Sequence, residues 1–157
     1  MSKSVFNLAK LPLNTPEALW VDNTQDWMGA ILDEMNEGFD QSEREEVKSF
    51  MRFKGEIHKV NDPRMEEVVI IKGELSARIC AICGRSGDLI GDEIDIQINA
   101  ALLEQQIIQK RQLEEEVNVW VQNEEYDLFT YEQNKVDIVP MLKEYVYMNK
   151  NPYPMKG

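Results

Sequence analysis

Between Lys48 and Asn99 the chain alternates apolar and polar residues with a period of two, and this constrains its fold more than any other feature. Met51, Phe53, Gly55 and Ile57 fall on one face of an extended segment, and Arg52, Lys54, Glu56 and His58 on the other. Asn61-Asp62-Pro63-Arg64 is turn chemistry. A second strand is expected from about Glu66 to Cys80, with Leu75, Ala77 and Ile79 facing one way and Glu74, Ser76 and Arg78 the other. A third runs from Asp92 to Asn99, alternating Ile94, Ile96 and Ile98 with Glu93, Asp95 and Gln97.

A first turn about Pro63 predicts that Met51 opposes Leu75, Arg52 opposes Glu74, Phe53 opposes Gly73 and Ile57 opposes Val69. In that register Lys54 and Lys72 are direct neighbours, a repulsion that an anion would relieve. The turn Cys80-Ala81-Ile82-Cys83-Gly84 then sets Val69 against Ile94, giving one apolar row from Ile57 through Val69 to Ile94. Phe53 would cover the bare backbone at Gly73.

Helices are expected at both ends of this meander. Thr24 can cap a helix running to about Glu37, with Trp27, Met28, Ile31, Leu32 and Met35 on one face and Gly38 stopping it. Asp137 can cap a final helix that tolerates Pro140 in its first turn and carries Ile138, Leu142, Tyr145 and Val146 as its apolar face. Ser2–Pro16 reads as extended chain or an edge strand anchored by Val5, Leu8 and Leu11. Leu102–Val117, rich in Leu, Gln, Glu and Lys, reads as a charged connector helix within an insertion spanning 102–125. Tyr126–Tyr131 is a candidate short strand. The fold class is therefore α+β in one domain over 1–157: an antiparallel meander of at least three strands, with partial closure into a barrel left open, packed with terminal helices.

Charge narrows the function classes. The formal net charge is −12, which argues against non-specific binding to a phosphate backbone. Its distribution is uneven: residues 1–43 carry −6, 44–85 carry +2 and 86–157 carry −8. An anion-binding or RNA-binding surface would therefore draw on Lys48, Arg52, Lys54, Lys72, Arg78 and Arg85. No stretch approaches the ~20 apolar residues of a membrane span, and no compact apolar segment suggests a signal peptide. With two cysteines, Cys80 and Cys83, no disulfide framework is expected, and a cytoplasmic location with reduced thiols follows.

The Cys-x-x-Cys pair allows several readings. A redox motif needs its first cysteine at a helix N-terminus, whereas Gly84, Arg85, Ser86 and Gly87 follow Cys83 here. Zinc would find half a tetrahedral site in Cys80 and Cys83. The only histidine, His58, lies opposite Val68 in the predicted register, roughly 40 Å from Cys80 at about 3.3 Å per residue. A site shared by two copies of the chain would supply the missing sulfurs. The reading preferred here is a metal-free hairpin turn with no cofactor, and no catalytic residue is nominated around one strand histidine.

The segment Ile70-Ile71-Lys72-Gly73-Glu74-Leu75-Ser76-Ala77-Arg78-Ile79-Cys80-Ala81-Ile82-Cys83-Gly84 resembles the central signature of the YceD-like large ribosomal RNA subunit accumulation proteins. A second resemblance follows in the same order, at Val136-Asp137-Ile138, the amphipathic stretch Val139–Val146 and the prolines Pro152 and Pro154. Together the likeness covers about Phe50–Asp92 and Tyr126–Pro154. It implies a non-enzymatic role in accumulation of 23S-type ribosomal RNA in a bacterium, with pre-ribosomal RNA or a basic ribosomal or assembly protein as partner. Two readings from other classes stand beside it: a zinc or thiol-redox module on Cys80 and Cys83, and an acidic protein-interaction module without RNA contact. The latter would use the Trp27–Met35 helix or the Glu-rich connector.

Overall fold

In the computed structural model, which describes residues 3–154, the chain is an α+β protein built on a mostly antiparallel, open sheet. Ser2 of the predicted N-terminal stretch lies outside the described residues. The elements are β1 (Val5–Asn7), β2 (Glu17–Asp22), α1 (Asp26–Met35), α2 (Gln41–Val47), β3 (Phe50–Asp62), β4 (Glu66–Ile82) and β5 (Leu89–Glu104). They continue with α3 (Gln105–Lys110), β6 (Asn118–Val121), β7 (Glu124–Tyr131), β8 (Lys135–Asp137) and α4 (Val139–Asn149). The main sheet has six strands in the order β2-β3-β4-β5-β7-β6, and a small ribbon pairs β1 with β8. It does not close, so the barrel alternative falls.

The predicted faces hold, but both registers move. Phe53 pairs with Leu75, Arg52 with Ser76 and Met51 with Ala77, two residues away from expectation. The Asp62 carboxylate accepts from the N–H groups of Arg64 and Met65, and Glu66 takes the left-handed conformation, placing the turn after Pro63 rather than on it. The second hairpin is longer than predicted: β4 continues through Ala81 and Ile82, and Val69 pairs with Leu102, not Ile94. Cys83 and Asp88 close that turn, with Gly87 at φ 76°. The row across Ile57 therefore continues through Ile71 and Ala100.

One face of the sheet carries the main core. Phe53, Ile57, Leu75, Ile79 and Ile98 pack there under α1 and α4, which contribute Met28, Ile31, Leu32, Met35, Met141, Leu142, Tyr145 and Val146. The terminal helices thus share one layer, as their apolar stripes predict. The stripe on α1 is buried apart from Trp27, which is partly buried and packs against the core. Of the N-terminal anchors, Leu8 and Leu11 are buried, whereas Val5 is exposed and Phe6 packs inward. Neither predicted cap holds its position: Gln25 rather than Thr24 precedes α1, and Ile138 rather than Asp137 is the N-cap of α4, with Asp137 one residue earlier accepting from the Val139 N–H.

The opposite face is dry only toward the β3–β4 turn. There Val60, Val68, Ile70, Ala101 and Leu103 form a second cluster under Ile107, Ile108, Val119 and Val121. This cluster requires the segment after Asn99 to be strand and not helix. Ala100–Leu103 are buried within β5, α3 covers only Gln105–Lys110, and β6 begins at Asn118. The long connector helix over Leu102–Val117 is thereby replaced. A run of apolar residues buried on both faces of a sheet has no two-residue alternation to mark it as strand.

Candidate functional site

Four of the six predicted cations do share one sheet face. Cross-strand neighbours project to the same side, and the ladders align Arg52 with Asp22, Ser76 and Asp95; Lys54 with Glu74; Lys72 with Glu56; and Arg78 with Phe50 and Glu93. The other two lie elsewhere. Lys48 is the left-handed C-cap of α2, at φ 60°, and Arg85 sits exposed in the β4–β5 turn.

The two-residue shift in register reverses the electrostatics of this face. Lys54 opposes Glu74, and Lys72 opposes Glu56, so the predicted lysine–lysine repulsion is absent. Arg78 is ion-paired with Glu93. Lys72 is ion-paired with Glu124, lies 5.3 Å from the centre of the Tyr126 ring, and is held more firmly protonated by the Glu124 hydrogen bond. Arg52 stacks 5.1 Å over Phe50. Each cation already has a local counter-charge or ring, so the face is a mixed-charge surface rather than an electropositive patch.

The cysteine turn is built from four segments. β4 extends beyond the last β3 pair, Phe50 with Arg78, so Cys80 has no strand partner on that side. The fully buried Asn36, just past α1, takes the place of a strand: its Oδ1 accepts from the Cys80 N–H at 2.8 Å. Its Nδ2 donates to Ser49 Oγ at 3.1 Å. α2 closes over this corner, with Val47 set against Gly91, the residue paired with Cys80. From the far end of the chain, the Pro154 carbonyl accepts from the Gly84 N–H at 2.9 Å, and Asp92 Oδ2 accepts from the Asn151 N–H at 3.1 Å. Asn36 and α2 were not singled out in the sequence; the Asp40-x-x-Glu43 capping box is the signal that marks α2.

This corner suits packing better than thiol chemistry. Cys80 and Cys83 are both buried, and neither is in a disulfide. Burial pushes the Cys80 thiol up, opposite to the shift of a reactive thiolate, although Arg44 pulls it partly back. Among the described residues no group of three or more His, Cys, Asp or Glu side chains is placed to hold a metal ion. His58 pairs with Ile70, still ten residues along β4 from Cys80. Two sulfurs are half a zinc site, and both are buried here.

No protein-family model, curated protein or solved structure matches the chain. No helix among the described residues is long and apolar enough to cross a membrane.

Proposed function

We propose that this chain is a non-catalytic cytoplasmic factor that supports accumulation of large-subunit ribosomal RNA, and that it works by holding a basic ribosomal or assembly protein. The observation that carries the reading is the meeting of the two YceD-like segments. They are separated in sequence by most of β5, α3 and β6, yet the Cys83–Gly84 turn and the terminal proline segment are hydrogen-bonded through Gly84 and Pro154. A signature in two pieces has a physical reason to exist when the pieces form one corner of the fold.

The choice of a protein partner over direct RNA contact rests on charge. The sheet-face cations Arg52, Lys54, Lys72 and Arg78 already have an acid or a ring beside them, while the chain as a whole carries −12. Such a molecule attracts basic partners and repels nucleic acid. Deleting the gene should lower large-subunit ribosomal RNA relative to small-subunit RNA, read from total RNA and ribosome profiles. An unchanged ratio overturns the biogenesis reading. In affinity capture from the same cells, a basic protein should remain bound after nuclease treatment; loss of every partner with nuclease would favour RNA as the direct contact.

A further inference from the structure

One concavity lies on neither the cation face nor the cysteine corner. It is a cavity of about 560 Å³ beside β7, walled by the Leu113–Glu116 loop on one side and the start of α4 on the other. Its floor is apolar, formed by Leu102, Ile108, Leu113, Leu128, Phe129 and Met141. Its mouth is acidic: Glu114, Glu116, Glu132, Asp137 and Glu144 are all exposed, and Lys135 is the one cation among the described lining residues.

The backbone of β7 supplies a third property. One edge of β7 pairs with β5 from Asp127 to Tyr131. The other edge pairs with β6 only up to Asp127, after which the Leu128 N–H donates to the Val117 carbonyl. The next contact on that edge is the bridge of Glu132 with Lys135. Between Leu128 and Glu132, about 13 Å of strand at ~3.3 Å per residue, no described strand covers it, and this stretch borders the cavity.

From these features we infer that the cavity is a docking groove for an extended, lysine- or arginine-rich protein segment carrying an apolar anchor. The segment adds as a short strand along Phe129–Tyr131, seats the anchor on the Leu113–Phe129–Met141 floor, and lays its cations against the glutamates of the rim. An open strand edge selects an extended peptide over a small apolar molecule, and the acidic rim selects a basic peptide over nucleic acid. The inference rests on the proposed protein-binding role and gives it a location.

The test uses the full chain and a ten-residue peptide of lysine and serine with one central leucine. Amide shifts are expected at Phe129–Tyr131 and Leu113–Glu116, with affinity that falls as salt rises. The triple variant Glu114→Lys, Glu116→Lys, Glu144→Lys changes exposed side chains only and should weaken binding roughly tenfold. Replacing the peptide's leucine by serine should weaken it by at least about tenfold, a result that does not depend on folding of any variant. Absent or displaced shifts, or an affinity indifferent to both changes, overturn the groove. So does stronger binding of a poly-uridine RNA to the same residues. The two proposals fail separately. Unchanged ribosomal RNA in the deletion strain removes the biogenesis role while peptide binding stands. A deletion phenotype fully rescued by the triple variant retains the role and removes the groove from it.

Discussion

Gly55 and Gly73 face each other directly across β3 and β4, and the Phe53 ring lies over both. A Cβ on Gly73 would come within 2.5 Å of the Lys54 carbonyl and 2.9 Å of Phe53 Cζ. Backbone cannot move there without opening the central ladder. Gly73→Ala should therefore lower unfolding free energy by about 1–3 kcal/mol, read as a reduced urea midpoint with unchanged slope. His58 makes a different residue-scale point. Its Nδ1 is buried without a hydrogen-bond partner, and burial lowers its pKa from 6.5, with Glu56 opposing and Lys72 assisting. The folded protein then takes up this proton less readily than the unfolded chain. Its contribution is complete above the unfolded pKa and is lost as pH falls through the lowered folded value. Stability should drop between pH 7.5 and 5.5 in the wild type and drop less in His58→Gln, by urea titration at both pH values.

Elements are joined by a few polar ties over a large apolar surface. α4 is pinned to β7 by the Tyr145 hydroxyl, which donates to Asp127 Oδ2 while its ring packs on Phe129. Burial and the Asp127 bond hold the Tyr145 hydroxyl well above the ordinary tyrosine range. Lys143 and Tyr147 both reach Glu34, tying α4 to α1. Tyr145→Phe keeps the ring and removes the tie, so thermal unfolding should show a loss of about 1–2 kcal/mol. Lys143→Ala, which removes a solvent-screened ion pair, should leave the thermal midpoint nearly unchanged. The same scale shows why α1 and α4 were legible from the sequence and the Leu102–Val117 region was not. α1 and α4 bury one stripe and show helical spacing, whereas Ala100–Leu103 are buried on both sides of the sheet. β6 owes its place to pairing with β7, which no local pattern announces.

For the whole molecule the consequence is electrostatic. The positive excess of residues 44–85 does not become a positive surface, because pairing brings acids from β2, β5 and β7 against those cations. Arg52→Glu combined with Lys54→Glu should leave any binding of poly-uridine RNA within about twofold of wild type. A tenfold loss with a flatter salt dependence would restore that face as an anion site. The candidate site was legible as a set of residues on one side of a sheet, since alternation alone puts Arg52, Lys54, Lys72 and Arg78 together. Their neutralisation was not, since it depends on which acid arrives opposite each one.

Both register differences are even, two residues at the first hairpin and eight at the second. Side chains alternate every residue, so the amino-acid sequence by itself determined which residues point to which face, where the terminal helices lie and which stripes they bury. An even slip keeps every one of those assignments, so the pattern cannot discriminate among such registers. Tertiary structure decided between them, through contacts that local patterning does not encode. Asn36 takes the bond of a missing strand at Cys80, Val47 closes on Gly91, and Asp62 tightens the first turn. The open edge of β7, and with it the acidic groove, exists only because β6 stops pairing at Asp127.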